Sequence, residues 1–91
     1  MEALAVYSQQ LEQKPYYAGK VRYNVGQVYL RQAQFEEAAA SFRQATEARP
    51  QWALAHFNLA YCLKQLGREA EADREIERAL RLDPSLVDGP G

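Results

Sequence analysis

His56 and Cys62 are the residues best equipped for nucleophilic or acid–base chemistry, and their spacing denies it. Six positions apart on a helix, they stand about 120° from each other around the axis, outside hydrogen-bonding reach. Each is the single residue of its type, so the chain offers neither a thiol pair for an internal disulfide nor a Cys/His cluster for zinc. Cys62 shares a helical face with Ala55, Leu59 and Leu66, the pattern of a buried, inert thiol. His56 adjoins Ala60 and Leu63 and reads as a core-edge histidine. Glu71, Asp73, Glu75 and Glu77 gather carboxylates, but Arg74, Arg78 and Arg81 interleave with them and the metal-binding Glu-x-x-His pattern is absent. A solvated, ion-paired helix face is the expectation there. The glycines are scattered singly until the last residues, so no phosphate-cradling loop forms. Neither catalysis, nor a cofactor, nor a bound metal is expected.

The remaining chemistry is that of surfaces. Ninety-one residues make one small domain, in which a chain buries about 60 to 65% of its unfolded surface. With 11 Lys+Arg against 12 Asp+Glu the formal charge is -1, too little field to favour nucleic acid or an anionic membrane. The longest apolar stretch near the amino terminus, Ala3 to Tyr7, runs directly into Gln9, Gln10 and Glu12, which suits neither a signal sequence nor a membrane span. The expectation is a soluble, cytoplasmic chain, though nothing in the residues names a compartment.

Ala, Leu, Glu, Gln and Arg dominate while β-branched residues are sparse, which predicts an all-α domain. Pro15, Pro50 and Pro84 stand at the edges of long proline-free stretches, where they stop helices without breaking them. Four helices fit between these marks: about Tyr16–Gln32, Phe35–Arg49, Gln51–Leu66 and Glu69–Leu82, with a fifth, Glu2–Lys14, ahead of them. Gly67 supplies the left-handed residue that closes one helix and turns the chain into the next. Ala33 does the same in the earlier hairpin at a steric cost. The tail Ser85 to Gly91 lacks any apolar period and reads as a frayed end.

Shifting the chain against itself by 34 positions pairs Asn24 with Asn58, Glu37 with Glu71, Ala38 with Ala72, Ala45 with Ala79 and Pro50 with Pro84. Size and polarity are also kept between Tyr23 and Phe57, Val25 and Leu59, Gly26 and Ala60, Tyr29 and Leu63, and Phe42 and Ile76. One unit of two helices is therefore used twice. Gly26 costs about 1 kcal/mol of helix propensity against alanine, so its place in mid-helix calls for a close approach of another element. Val25, Tyr29, Phe42 and Ala45, then Leu59, Leu63, Ile76 and Ala79, are the expected hairpin cores.

This constellation resembles the tetratricopeptide repeat (TPR) family. The resemblance covers residues 19–86 as two repeats, through Asn24, Gly26, Tyr29, Phe35, Ala38, Phe42, Ala45 and Pro50, then Leu59, Ala60, Leu63, Gly67, Ala72, Ile76, Ala79 and Pro84. It implies a right-handed superhelical stack of antiparallel helical hairpins. Ala3, Tyr7, Leu11 and Pro15 match the second helix of a preceding repeat, so residues 1–15 are expected to form an amino-terminal half repeat. Residues 16–52 and 53–84 are then the two repeats, and 85–91 the tail. Arg22 and His56 depart from the family at a place usually held by a large apolar residue, and Ala33 replaces the usual turn glycine.

Lys20, Tyr23, Asn24, Gln27, Leu30 and Arg31 form a stripe at helical spacing, apart from the core stripe through Val21, Val25, Val28 and Tyr29. Leu54, Phe57, Asn58, Tyr61, Lys64 and Gln65 form its counterpart in the second repeat. The resemblance implies that both stripes line a concave groove that binds a peptide or helical segment of another protein, as in an adaptor or scaffold. Aromatic rings bury large area at little rotamer cost, and amides pair with the exposed backbone of a bound segment. Relatives that grip the carboxylate end of chaperone tails use lysine and asparagine on the first groove helix and basic residues on a third. Here Tyr23 and Gln27 take the first two places and Asn58 alone matches, so a chaperone-tail clamp is not expected.

The alternative to an adaptor is a structural self-assembly module, or a piece of a longer repeat array. Repeat units bury their apolar faces against neighbours, and about three are usually needed. Leu66, Leu80 and Leu82 replace Gln32, Thr46 and Ala48 of the first repeat, and with Trp52 they make the candidate surface for association with another copy.

Overall fold

The computed structural model describes residues 18–86. The expected helix Glu2–Lys14, the half repeat 1–15 and the tail residues 87–91 lie outside the described residues. Within them the chain forms four α-helices, α1 (Ala18–Arg31), α2 (Phe35–Ala48), α3 (Ala53–Gln65) and α4 (Glu69–Leu82), followed by a single 3-10 turn, Pro84–Leu86. No strand occurs among the described residues. α1 packs against α2, α3 against α4, and α2 joins the two hairpins by packing against α3.

The two hairpin turns are built alike. At the end of α1 the Gln34 amide donates to the Tyr29 carbonyl (3.0 Å) and the Ala33 amide to that of Leu30 (2.9 Å). At the end of α3 Arg68 donates to Leu63 (2.8 Å) and Gly67 to Lys64 (3.0 Å). These are paired Schellman closures, which require a left-handed residue just past the helix. Gly67 takes it at φ 81° without strain, whereas Ala33 takes it at φ 57° with a Cβ that crowds the backbone. Glu36 and Glu37 in the first turn of α2, and Glu69 and Glu71 in that of α4, lie with the positive end of the helix dipole and favour resumption of the helix.

Between the hairpins the structure departs from expectation by two residues. α3 starts at Ala53, because Trp52 is its N-cap with extended backbone (φ −88°, ψ 94°). The Trp52 amide returns to the Arg49 carbonyl at 3.1 Å, and its own carbonyl accepts from Ala55 and His56. Residues 49–52 are thus a tight turn around Pro50. Ser85 and Leu86, expected in the frayed tail, belong to the closing 3-10 turn, where the Leu86 amide reaches the Asp83 carbonyl at 3.2 Å.

The core runs through both hairpins without a break: Ala38, Ala39 and Phe42 of α2 meet Leu59, Ala60, Cys62 and Leu63 of α3 and Ala72 of α4. Val25, Ala45 and Ala79 are also buried, while Tyr29 and Ile76 are only half-buried at its edge. Gly26 explains its own cost. A Cβ placed there would meet the Phe42 ring at 2.7 to 2.9 Å, so the missing side chain is the space that ring occupies. Burying a phenylalanine contributes about 2 to 3 kcal/mol, more than the helix propensity given up. The second repeat moves volume across the same pair of places: Ala60 stands where Gly26 does, and Ile76 where Phe42 does.

These turns and this contact predict opposite outcomes for two similar substitutions, both read by urea unfolding. Ala33→Gly should raise stability by about 1 kcal/mol by relieving the left-handed backbone. Gly26→Ala should lower it by about 1 to 3 kcal/mol despite the better helix former, because the fully buried Phe42 ring must move.

Candidate functional site

The two stripes meet at Tyr23. Its ring lies edge-on to Phe42 (centroids 5.5 Å apart) and stacks on Trp52 (4.4 Å). Its hydroxyl oxygen accepts from the Asn58 amide of the second repeat (2.8 Å) and the Gln27 amide one turn along α1 (3.0 Å). Tyr23 is therefore half-buried and held on every side, the floor of the inter-repeat surface and not a free anchor. With both lone pairs of the oxygen engaged, its own proton remains to be donated.

Beside this floor α3 presents an apolar row. Leu54, Phe57 and Tyr61 are 43%, 37% and 49% exposed, at the i, i+3, i+7 spacing that keeps side chains on one helical face. Tyr61 lies edge-on to Phe35, with ring centroids 6.3 Å apart, and leaves about half of its surface to solvent. Asn24 is half-buried, Leu30 packs against the core, and Lys20, Arg31, Lys64 and Gln65 are exposed. The stripe on α1 is thus mostly spent on packing the repeats together, while that on α3 is open.

The residues set aside for assembly divide in the same way. Trp52 is half-buried between Tyr23 and the Arg49 guanidinium, which sits 4.6 Å over its ring. Leu66 packs on the core, Leu80 is half-buried, and Leu82 is 42% exposed.

His56 is more deeply committed than a core-edge position requires. It is 6% exposed, with Nδ1 2.7 Å from a Glu75 carboxylate oxygen and Nε2 2.8 Å from the Pro50 carbonyl. Through its two nitrogens the ring ties the inter-hairpin turn to α4. Glu75 corrects the expectation of a wholly solvated acidic face. It is 8% exposed, and its second oxygen accepts from Arg78 at 2.9 Å. Elsewhere on that face Arg81 pairs with Glu77 as expected (2.6 Å), while Glu71 pairs across to Arg43 of α2 (3.5 Å). Burial displaced Glu75 because it lies between Ala72 and Ala79 on the packed side of α4.

Cys62 is fully buried, and desolvation pushes its thiol up to about 11 from 9.0. It cannot serve as a nucleophile near neutral pH. Among the described residues no group of His, Cys, Asp and Glu is placed to hold a metal ion. No described helix is long and apolar enough to cross a membrane. What the arrangement offers is contact area: exposed rings and a leucine beside fixed polar groups.

Comparison with known proteins follows the same lines. The family profile described as "Tetratricopeptide repeat" matches residues 23–86. A solved structure of a MamA mutant superposes with a TM-score of 0.77 at 27% identity, covering 97% of this chain and 50% of that one. The human protein O-mannosyl-transferase TMTC2 is 29% identical over 86 residues, 92% of this chain and 10% of that protein. The chain therefore spans half of the one and a tenth of the other.

The buried pair yields a test by unfolding. Glu75→Ala, which strands His56 without its carboxylate, should cost about 3 kcal/mol, whereas replacing both partners by leucine should recover most of that loss. Cys62 gives a second. Its raised value means that stability is full below pH 9.0 and is lost as pH rises through about 11, since only the unfolded thiol ionises in that window. Cys62→Ala should flatten that decline.

Proposed function

This chain belongs to the tetratricopeptide repeat family, and on that premise we propose that the face shared by α1 and α3 captures a peptide or helical segment of a partner protein. Repeats of this family generally serve as protein–protein interaction modules, and the finer reading rests on this chain's own residues. The observation that carries it is the open row of Leu54, Phe57 and Tyr61 beside the tethered Tyr23 hydroxyl. Large apolar side chains held in the open cost solvation that a bound segment would recover. The hydroxyl proton supplies a donor for a backbone carbonyl of that segment, and Asn24 and Gln65 are the amides along the same stripes. Lys20, Leu30, Arg31 and Lys64 complete the proposed lining.

A second reading, a self-assembly module or part of a longer array joined through α4, draws on Leu82, exposed on that helix. Light scattering separates the two: self-assembly predicts a mass that rises with concentration and falls back to the monomer in Leu82→Glu, while the groove reading predicts a monomer throughout.

For the groove, a displayed library of random peptides about twelve residues long is selected against the protein, and the enriched peptides are titrated against variants. Phe57→Ala and Tyr61→Ala should each weaken binding by about 1 to 3 kcal/mol with helicity unchanged. Tyr23→Ala should also lower stability, since that ring packs on Phe42 and Trp52. Failure to enrich any peptide, or binding indifferent to all three changes, would remove this reading.

A further inference from the structure

We infer that the segment bound on this face is acidic, an apolar residue flanked by Asp or Glu, contributed by a partner protein. The inference rests on the groove reading above and adds the charge of the ligand.

Its basis is a segregation of charge by helix. α1 and α3, which carry the groove, contain Lys20, Arg22, Arg31 and Lys64 and no carboxylate at all. α2 and α4, behind them, hold Glu36, Glu37 and Glu47, then Glu69, Glu71, Asp73, Glu75 and Glu77. The chain's near-neutral total thus conceals an inner layer of one sign and an outer layer with an excess of the other. Helix electrostatics does not account for it. Cations at the carboxyl ends, Arg31 and Lys64, suit the dipole, but Lys20 lies in the first turn of α1, where the dipole opposes it. First-turn acids are present on both outer helices and missing from both inner ones. A carboxylate on the inner face would repel an acidic ligand, and neither inner helix carries one.

Three of these cations remain to be answered. Lys20, Arg31 and Lys64 are exposed, and no described carboxylate stands within ion-pair distance of them. The arginine of the neighbouring turn, Arg68, has Glu36 at 4.0 Å. Arg31 and Lys64 occupy the carboxyl ends of the two equivalent helices, so they gather at one end of the face. Leu54 and Phe57 lie toward the other. Lys64 lies seven residues, about 10 Å, along α3 from Phe57, so an extended ligand with its apolar residue over Phe57 would bring a carboxylate about three residues further on to Lys64 and the neighbouring Arg31.

The test reads the charge of the peptides enriched from the random library described above, using the wild-type protein and the double variant Arg31→Glu, Lys64→Glu. Both substitutions fall at exposed positions, and far-UV circular dichroism checks that the variant keeps its helices. Wild type should enrich peptides of net negative charge. The best of them should bind the double variant at least about tenfold more weakly and lose affinity as salt is raised from about 0.05 to 0.5 M. The variant's own selection should shift to neutral or basic peptides. Enrichment of neutral or basic peptides by the wild type, with Phe57→Ala still weakening them, would overturn the charge inference and leave the groove standing. No enrichment at all would overturn both.

Discussion

The contact of Tyr23 with both repeats is the constraint on which the rest of the structure turns. One ring packs edge-on against Phe42 in the core of the first hairpin, stacks on Trp52 in the turn between hairpins, and takes a hydrogen bond from Asn58 on the second. An aromatic pair of this kind contributes about 0.5 to 1.5 kcal/mol beyond its buried area, and a hydrogen bond about 1 kcal/mol net. Such sums are small in isolation, but they fix the register of α1 against α3. That register decides whether Leu54, Phe57 and Tyr61 continue one surface with α1 or face elsewhere. The exposed face proposed to bind a partner is therefore a consequence of inter-repeat packing, and it shares the Tyr23 side chain with the junction between repeats.

A second tie holds the same junction from behind. The His56 ring bridges the Pro50 carbonyl and the Glu75 carboxylate, so the turn between repeats is clasped by α4 while Trp52 clasps it from the α1 side. Buried polar groups of this kind contribute little to net stability when compared with well-packed apolar ones, but they are costly to leave half-made. Their effect is to penalise any arrangement of the hairpins in which the two oxygens do not both meet the ring. In the first repeat the equivalent places hold Arg22 and Ser41, so the two units share a backbone plan and differ in the chemistry at this point.

Periodicity made the helices, the turns and the repeat legible. Gly67 and Ala33 announced their left-handed closures because the helical pattern stops at each, and Gly26 announced a close contact because glycine in mid-helix is otherwise a loss. The atom it makes room for, the Phe42 ring, depends on tertiary packing and was not readable. Glu75 was misread because its charge was weighed and its position was not: it falls three residues after Ala72 and four before Ala79, on the buried side of the helix. Tyr23 and Phe57 are equivalent under the 34-residue shift, yet Tyr23 packs on Trp52 and accepts from Asn58 while Phe57 is 37% exposed. Spacing within a helix cannot reveal that difference, which arises from what lies beyond it.

A double-mutant cycle across the junction, Tyr23→Phe with Asn58→Ala, measured by chemical unfolding, tests this most directly. If the hydroxyl and the amide hold the two repeats in register, the two losses are coupled, with an interaction energy of about 1 kcal/mol. Strict additivity, within about 0.3 kcal/mol, would show that the repeats are positioned without this contact and would contradict the account.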